Sequence, residues 1–353
     1  MGRRVSLSQH GRGRYAPPLP VDLSSLASAM RRAAEARRAL SVQPGLSCYR
    51  LAHADADGLP GITADRFGDV GVLSLYRELS EQDEAAVLDA AVAAWSPRAV
   101  YLKRRPREAR VVANTSRAEV SPALPSRGEP VDRCVVEENG LRFDIRPGAG
   151  LSVGLFLDMR EARAWVRAHA AGRTVLNTFS YTCGFSVAAR AGGAVRALNV
   201  DASRRVLDWG EDNHRLNGLP VDRRDFVAGD VFEWLKRLGK KGEAFDLVIL
   251  DPPSFATTRH SRFSAARDYP GLVAQAAAVL APGGTLLACC NLSGLTPARH
   301  AAAVKEGLAR AGRTALASER LSPGPDFPAH PDSPHGLQVL AVGTDSGGRE
   351  RLG

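Results

Sequence analysis

Hydrophobic and polar positions follow two registers along this chain, and the change of register divides it. "SCYRLAHADADGLPGITADRFGDVGVLSLY" (47–76) carries short apolar runs broken by Gly and Pro turns, which predicts three strands. "SEQDEAAVLDAAVAAW" (80–95) has helical spacing, with acids in its first turn where the macrodipole favours them. "AVYLKRR" (99–105) predicts another strand, and "SPALPSRGEP" (121–130) a linker. "CVVEENGLRFDIRP" (134–147) predicts a hairpin turning at Asn139-Gly140. "GLFLDMREARAWVRAHAAG" (154–172) predicts a helix. Beyond it, apolar runs and amphipathic stretches alternate: strand 173–181, helix 184–193, strand 194–203, helix 204–218, a strand near 224–230, helix 231–242, strand 245–253, helix 268–284 and strand 285–291. The second half is therefore an α/β, Rossmann-like doubly wound sheet, preceded by a small α+β unit. The divisions expected are 1–45, a basic arm and the helical stretch "DLSSLASAMRRAAEARRAL"; 46–130, the α+β unit; and 131–353, the doubly wound domain. No internal repeat is visible.

Composition narrows the picture modestly. A formal net charge of +9 suits a polyanionic partner. Only five of the 47 basic residues are Lys, however, and that Arg and Ala bias matches GC-rich coding. The first twenty residues are Arg-rich and acid-free, without the apolar core of a secretory signal or the amphipathic period of a transit peptide, so a disordered basic arm is expected. No apolar run reaches the roughly 20 residues of a membrane helix, so no membrane partner is expected. The five cysteines have neither zinc spacing nor an even count, which suits a reducing cytoplasm and predicts no metal.

Chemistry gathers at the predicted strand ends, where ligands of doubly wound folds bind. "LNTFSYTCGFS" offers Asn177, Phe179, Ser180 and Tyr181, then Gly184 opening a helix. "NVDAS" closes the next strand on Asp201, the place of a ribose-binding acid, with Ser203 as the alternative helix cap. "AGDVFEWL" puts Asp230 at the third end, as a base contact or a cap. "FDLVILDPPSF" ends on Asp251, after which Pro252 and Pro253 stop strand pairing and stiffen the loop that carries Ser254 and Phe255.

With "YRLAHADADGLPGITADRFGD", "GLFLDMRE" and "NVDASRRVLDWGEDNHRLNGL", these stretches resemble the class I S-adenosylmethionine-dependent methyltransferases. Within them, they resemble the bacterial 23S rRNA large-subunit methyltransferases that include the cytosine-C5 enzymes. The resemblance spans roughly residues 48–300. It implies S-adenosylmethionine as cofactor and RNA as partner. It places the segment from Asn177 to Gly184 at the methionine part, Asp201 at the ribose and Asp230 near the adenine. Asp158 and Arg160 would stand at the cofactor mouth, Asp251 at the reacting centre, and the segment through Phe255 around an extruded base.

Two departures accompany it. The family's small N-terminal RNA-binding barrel of the PUA type has no room in the 45 residues before the match, so RNA capture is expected to rely on the 46–130 α+β unit, the basic arm or another partner. Cytosine C5 chemistry needs a thiolate at C6, and the family position counted from Gly283-Gly284 falls on Asn291, directly after Cys289 and Cys290. Strand alternation predicts that Cys290 faces the cleft and Cys289 the opposite side. The rival readings are a guanine-nitrogen methyltransferase of the same fold, a non-catalytic RNA-binding protein that retains the cofactor, and a small-molecule methyltransferase. The oligomeric state is open, a homodimer included.

Overall fold

The computed structural model describes residues 23–105, 118–257, 262–292, 294–329 and 336–345; the basic arm lies outside them. Helix α1 (Leu23–Ala36) and the single turn α2 (Arg38–Ser41) lead into β1 (Cys48–His53), β2 (Ile62–Phe67), β3 (Val70–Leu75), α3 (Glu81–Trp95) and β4 (Ala99–Arg104). Ser80 caps α3, its Oγ accepting from the Asp83 N–H at 3.1 Å. β1, β2 and β3 form an antiparallel meander, and the α3 crossover lets β4 run parallel to β3. The stretch expected to be a linker supplies a fifth strand instead, β5 (Arg127–Gly128), paired with the start of β4. Gly128 is required there, because a Cβ would stand 2.0 Å from the Arg98 carbonyl oxygen.

The pleat sends alternate side chains to opposite faces. Leu51, Ile62, Leu73 and Leu102 pack beneath Met30 of α1 and Val87 of α3. Cys48, Phe67 and Val72 face the other way, onto Val136 and Phe143 of a hairpin, β6 (Cys134–Glu138) and β7 (Leu141–Ile145). The hairpin turns at Asn139 and Gly140 with φ 51° and 77°, the left-handed pair a two-residue turn needs.

The expected 154–172 helix begins later, as α4 (Arg160–His169), after a 3₁₀ turn over Leu157–Met159. Then follow β8 (Thr174–Thr178), α5 (Gly184–Ala191), β9 (Arg196–Asp201), α6 (Arg204–Leu216), β10 (Phe226–Ala228), α7 (Val231–Lys240) and β11 (Phe245–Leu250). After the short hairpin β12 (Phe255–Thr257) and β13 (Arg262–Ser264) come α8 (Ala265–Ala277), β14 (Leu280–Asn291), α9 (Pro297–Arg310), β15 (Ala315–Leu321) and β16 (Leu337–Thr344). The sheet order is 10-9-8-11-14-16-15, parallel through β14 and antiparallel across β16 and β15. The chain moves outward from β8 to β10 and returns on the other side of β8, so the switch point lies between β8 and β11. No described helix is long and apolar enough to cross a membrane.

A buried ionic cluster ties the two sheets. The Asp326 carboxylate, wholly buried, accepts from both Arg160 Nη atoms at 3.1 and 2.6 Å and from the Arg50 N–H at 2.9 Å. Its carbonyl accepts from Arg37, whose other Nη pairs with Asp57 at 2.6 Å.

Candidate active site

One cavity of about 980 Å³ opens where β8, β9, β10, β11 and β14 end. Its floor is the loop after β8. Phe179, Tyr181 and Cys183 there have φ of 52°, 48° and 62°, left-handed values that side chains of this size seldom adopt. Such strain persists only where surroundings fix it. Here Ser180 N donates to the Val200 carbonyl at 3.1 Å, Tyr181 N to Asp201 at 2.9 Å and Thr182 Oγ1 to the Gly154 carbonyl at 2.6 Å. Gly154 has φ 127°, and a Cβ would lie 2.5 Å from Trp209.

The chemistry of this wall fits an adenosine carrying an amino-acid tail. The Asp201 carboxylate accepts from the N–H groups of Tyr181 and Ser203, both at 2.9 Å, and keeps lone pairs for a diol. Asp230 caps α7, accepting from Phe232 N at 2.8 Å, beside the edge-to-face pair of Phe179 and Phe232, 5.9 Å apart. Ser180 Oγ and Tyr181 Oη are buried polar atoms that make no well-formed hydrogen bond among the described residues, Ser180 facing only the weak Cys183 thiol and Tyr181 the Gly154 backbone, which is what a bound polar group would correct.

Asp251, Pro252, Pro253 and Ser254 form the facing wall. Ser254 Oγ donates to the Asn291 carbonyl at 2.5 Å, tying that wall to the end of β14. Asp158 completes this side of the cavity. Burial, and then the charge of Asp158, push the Asp251 carboxyl up to about 7, against the pull of Arg163. Burial raises Asp158 as well, opposed by Arg50 and Arg163.

The structure thus gathers Asp158, Phe179, Ser180, Tyr181, Gly184, Asp201 and Asp230 around one cavity with the Asp251–Ser254 wall and Asn291. Four other expected residues lie off it. Asn177 is buried beneath the floor, its Nδ2 on Asn199 Oδ1 at 3.1 Å. Ser203 sits at the head of α6 and meets Asp201 through its backbone. Arg160 is not at the cavity mouth, because Asp326 holds its guanidinium in the interior. Phe255 stands exposed on β12, outside the lining.

The expected cleft-facing Cys290 also needs correction. Alternation along β14 does put the two thiols on opposite faces, but both faces are covered by helices at that height. Cys289 packs with Met159, just before α4, and Val166 of α4, and Cys290 with Leu272 and Val273 of α8. Burial pushes the Cys290 thiol up to about 11 and Cys289 well above its usual range. The strand runs one residue further, so Asn291 reaches the cavity.

Sequence reasoning missed Phe156, Arg163 and Phe232 as lining residues. Gly154 at the head of "GLFLD" was the available signal that this segment is extended rather than helical. Arg163 is fixed by a bidentate pair with Glu138, both contacts at 2.7 Å.

A family model described as S-adenosylmethionine-dependent methyltransferase matches residues 51–342. The chain is 32% identical over 327 residues to the "Ribosomal RNA large subunit methyltransferase I" of Cronobacter sakazakii, covering 92% of this chain and 81% of that protein. Against the protein of the same name from Aeromonas salmonicida it is 33% identical, covering 91% and 80%. A crystal structure of a candidate methyltransferase complexed with SAH superposes with a TM-score of 0.81 at 26% identity, over 97% of this chain and 83% of the other. A Streptococcus mutans SAM-dependent methyltransferase candidate gives 0.79 at 26% identity over the same shares. The strand-end cavity, the diol-ready acid of β9 and this match over most of the chain agree, and the chain belongs to the S-adenosylmethionine-dependent methyltransferase family.

Proposed function

We propose that the protein transfers a methyl group from S-adenosylmethionine to a base of large-subunit ribosomal RNA. The observation that carries this is the continuity of one cavity from the Asp201 wall to the Asp251–Ser254 wall. The names of the relatives point to the RNA. Asp201 would hold the ribose hydroxyls, Phe232 and Asp230 the adenine side, and Ser180 and Tyr181 the amino-acid tail. When bound, the cofactor supplies an electrophilic methyl on a sulfonium. Asp251 orients the target base and takes its proton, and the stiff diproline backbone holds that carboxyl at the reacting centre. Five unpaired thiols suit a cytoplasmic enzyme.

The resemblance favours cytosine C5 as the acceptor, with Cys290, one residue from the cavity, as the nucleophile. This route requires the end of β14 to shift on RNA binding, since no cysteine lines the cavity. That same observation supports a second reading, a guanine nitrogen held by Asp251 and attacked without a covalent enzyme intermediate. Mass spectrometry of rRNA nucleosides from cells with and without the gene identifies the atom, and loss of one methylated base on deletion is expected. A denaturant-stable adduct with 5-fluorocytosine RNA, abolished in Cys290→Ala, establishes C5. Full transfer by Cys289→Ala and Cys290→Ala, with no adduct, establishes nitrogen. An unchanged nucleoside profile would overturn the RNA assignment.

A further inference from the structure

The cavity rim is a short loop, residues 146–153, held by cations from both halves of the protein. Arg146 N closes the loop on the Val153 carbonyl at 2.9 Å. Lys103 of β4, wholly buried, donates to the Pro147 carbonyl at 2.6 Å and to Ser121 Oγ at 2.8 Å. Arg105, just past β4, donates through Nη2 to the Leu151 carbonyl at 2.6 Å. Arg205, in the first turn of α6, reaches the Ala149 carbonyl at 3.4 Å. Ser152 and Gly154, directly beyond these anchors, line the cavity.

Most cations nearby are neutralised. Arg104 pairs with Glu84, Arg133 with Asp144, and Arg146 with Asp144 and Asp212 while lying 4.3 Å over the Trp209 ring. Arg105 and Arg205 differ, having no carboxylate partner among the described residues. Each makes only neutral hydrogen bonds, and a guanidinium has five N–H donors in a planar fork. Their bonds to the Leu151 and Ala149 carbonyls set both guanidinium groups on the rim loop, and both charges act on the Tyr181 phenol of the cavity wall. Tyr76 adjoins Arg105, 46% exposed, with the Arg105 guanidinium 5.9 Å from its ring centre. Uncompensated positive charge, fork donors and an open aromatic face suit single-stranded nucleic acid.

We propose that Arg105 and Arg205 form a phosphate clamp at the cavity rim, seating the RNA backbone on either side of the target nucleotide while Tyr76 stacks a neighbouring base. This rests on the RNA reading above and adds the substrate's path. The small N-terminal sheet then contributes to substrate capture directly, through the end of β4, rather than only supporting the fold.

The test uses the full chain and two readouts. Anisotropy of a fluorescein-labelled, mixed-sequence single-stranded RNA 12-mer gives Kd across a salt series. Methyl transfer to total large-subunit rRNA gives KM and kcat. Arg105→Gln and Arg205→Gln should each reduce the slope of log Kd against log salt by about 0.7, the value for one lost phosphate contact on a single strand. Each should raise KM for RNA several-fold and leave S-adenosylmethionine affinity unchanged by calorimetry, which also reports folding. Arg105→Lys and Arg205→Lys should restore the slope. Tyr76→Ala should weaken binding several-fold, and Tyr76→Phe should not. Unchanged slopes in both Gln variants, with wild-type protein that binds and methylates RNA, would overturn the clamp alone. Wild-type protein that neither binds nor methylates RNA would overturn the RNA reading and the clamp with it.

Discussion

Two carboxyls, Asp158 and Asp251, set the chemistry at the residue scale. Asp251 is held up to about 7, and Asp158 is among the causes. If an ionised Asp251 takes the base's proton, kcat/KM should rise with unit slope below about pH 7 and level off above it. Asp158→Asn removes the neighbouring negative charge and should move the inflection to lower pH; an unmoved inflection would separate the two groups. The sign reverses for stability. A carboxyl whose folded pKa is raised binds more protons folded than unfolded between about 4 and 7, so it costs stability as pH rises through that window. Asp251→Asn should therefore melt higher than the native protein at pH 8 and much closer to it at pH 4, a trade of stability for activity. At Asp201 the expectation is a loss of about 1.5–3 kcal/mol in cofactor affinity on change to Ala, as for hydrogen bonds to a charged group. Calorimetry on protein that melts normally checks it.

At the scale of elements, the parallel strands and their helices were legible because β8 to β14 are apolar runs closed by polar residues. The strand-end acids followed from that pattern. Other features were not legible. β15, "ALASERL", is almost wholly exposed and carries no alternation; its place is set by pairing with β16. The segment before α4 has helical composition but is drawn out by Gly154, wedged against Trp209. The thiols of β14 were placed by alternation alone, which gives the face of a strand but not whether a helix covers it. The loop between β15 and β16 carries Asp326, which no local motif marks, since its partners are 166 and 276 residues away. Asp326→Ala leaves Arg160 buried beside only the half-exposed Glu161. The expected loss is about 3–5 kcal/mol by urea unfolding, and a loss below 1 kcal/mol would mean that water reaches Arg160.

At the scale of the whole molecule, α1, the small sheet and the large sheet meet through the Asp326 cluster on one side and the cation-held rim loop on the other. Fold class was legible from the sequence because it rests on alternating elements with ordered strand ends, and the cofactor followed from the family resemblance carried by those stretches. The meeting of the two sheets was not, because it depends on contacts between distant segments. The joint places Arg105 of the first half on the rim loop of a cavity built by the second. The most direct test incubates purified protein with methyl-labelled S-adenosylmethionine and large-subunit rRNA from cells lacking the gene. Label should enter the RNA. It should fall at least a hundredfold, about 2.7 kcal/mol of barrier, in Asp251→Asn protein that still binds the cofactor. Absence of label from that RNA, or label only in ribonuclease-treated small-molecule extract, would contradict an RNA methyltransferase built on this cavity.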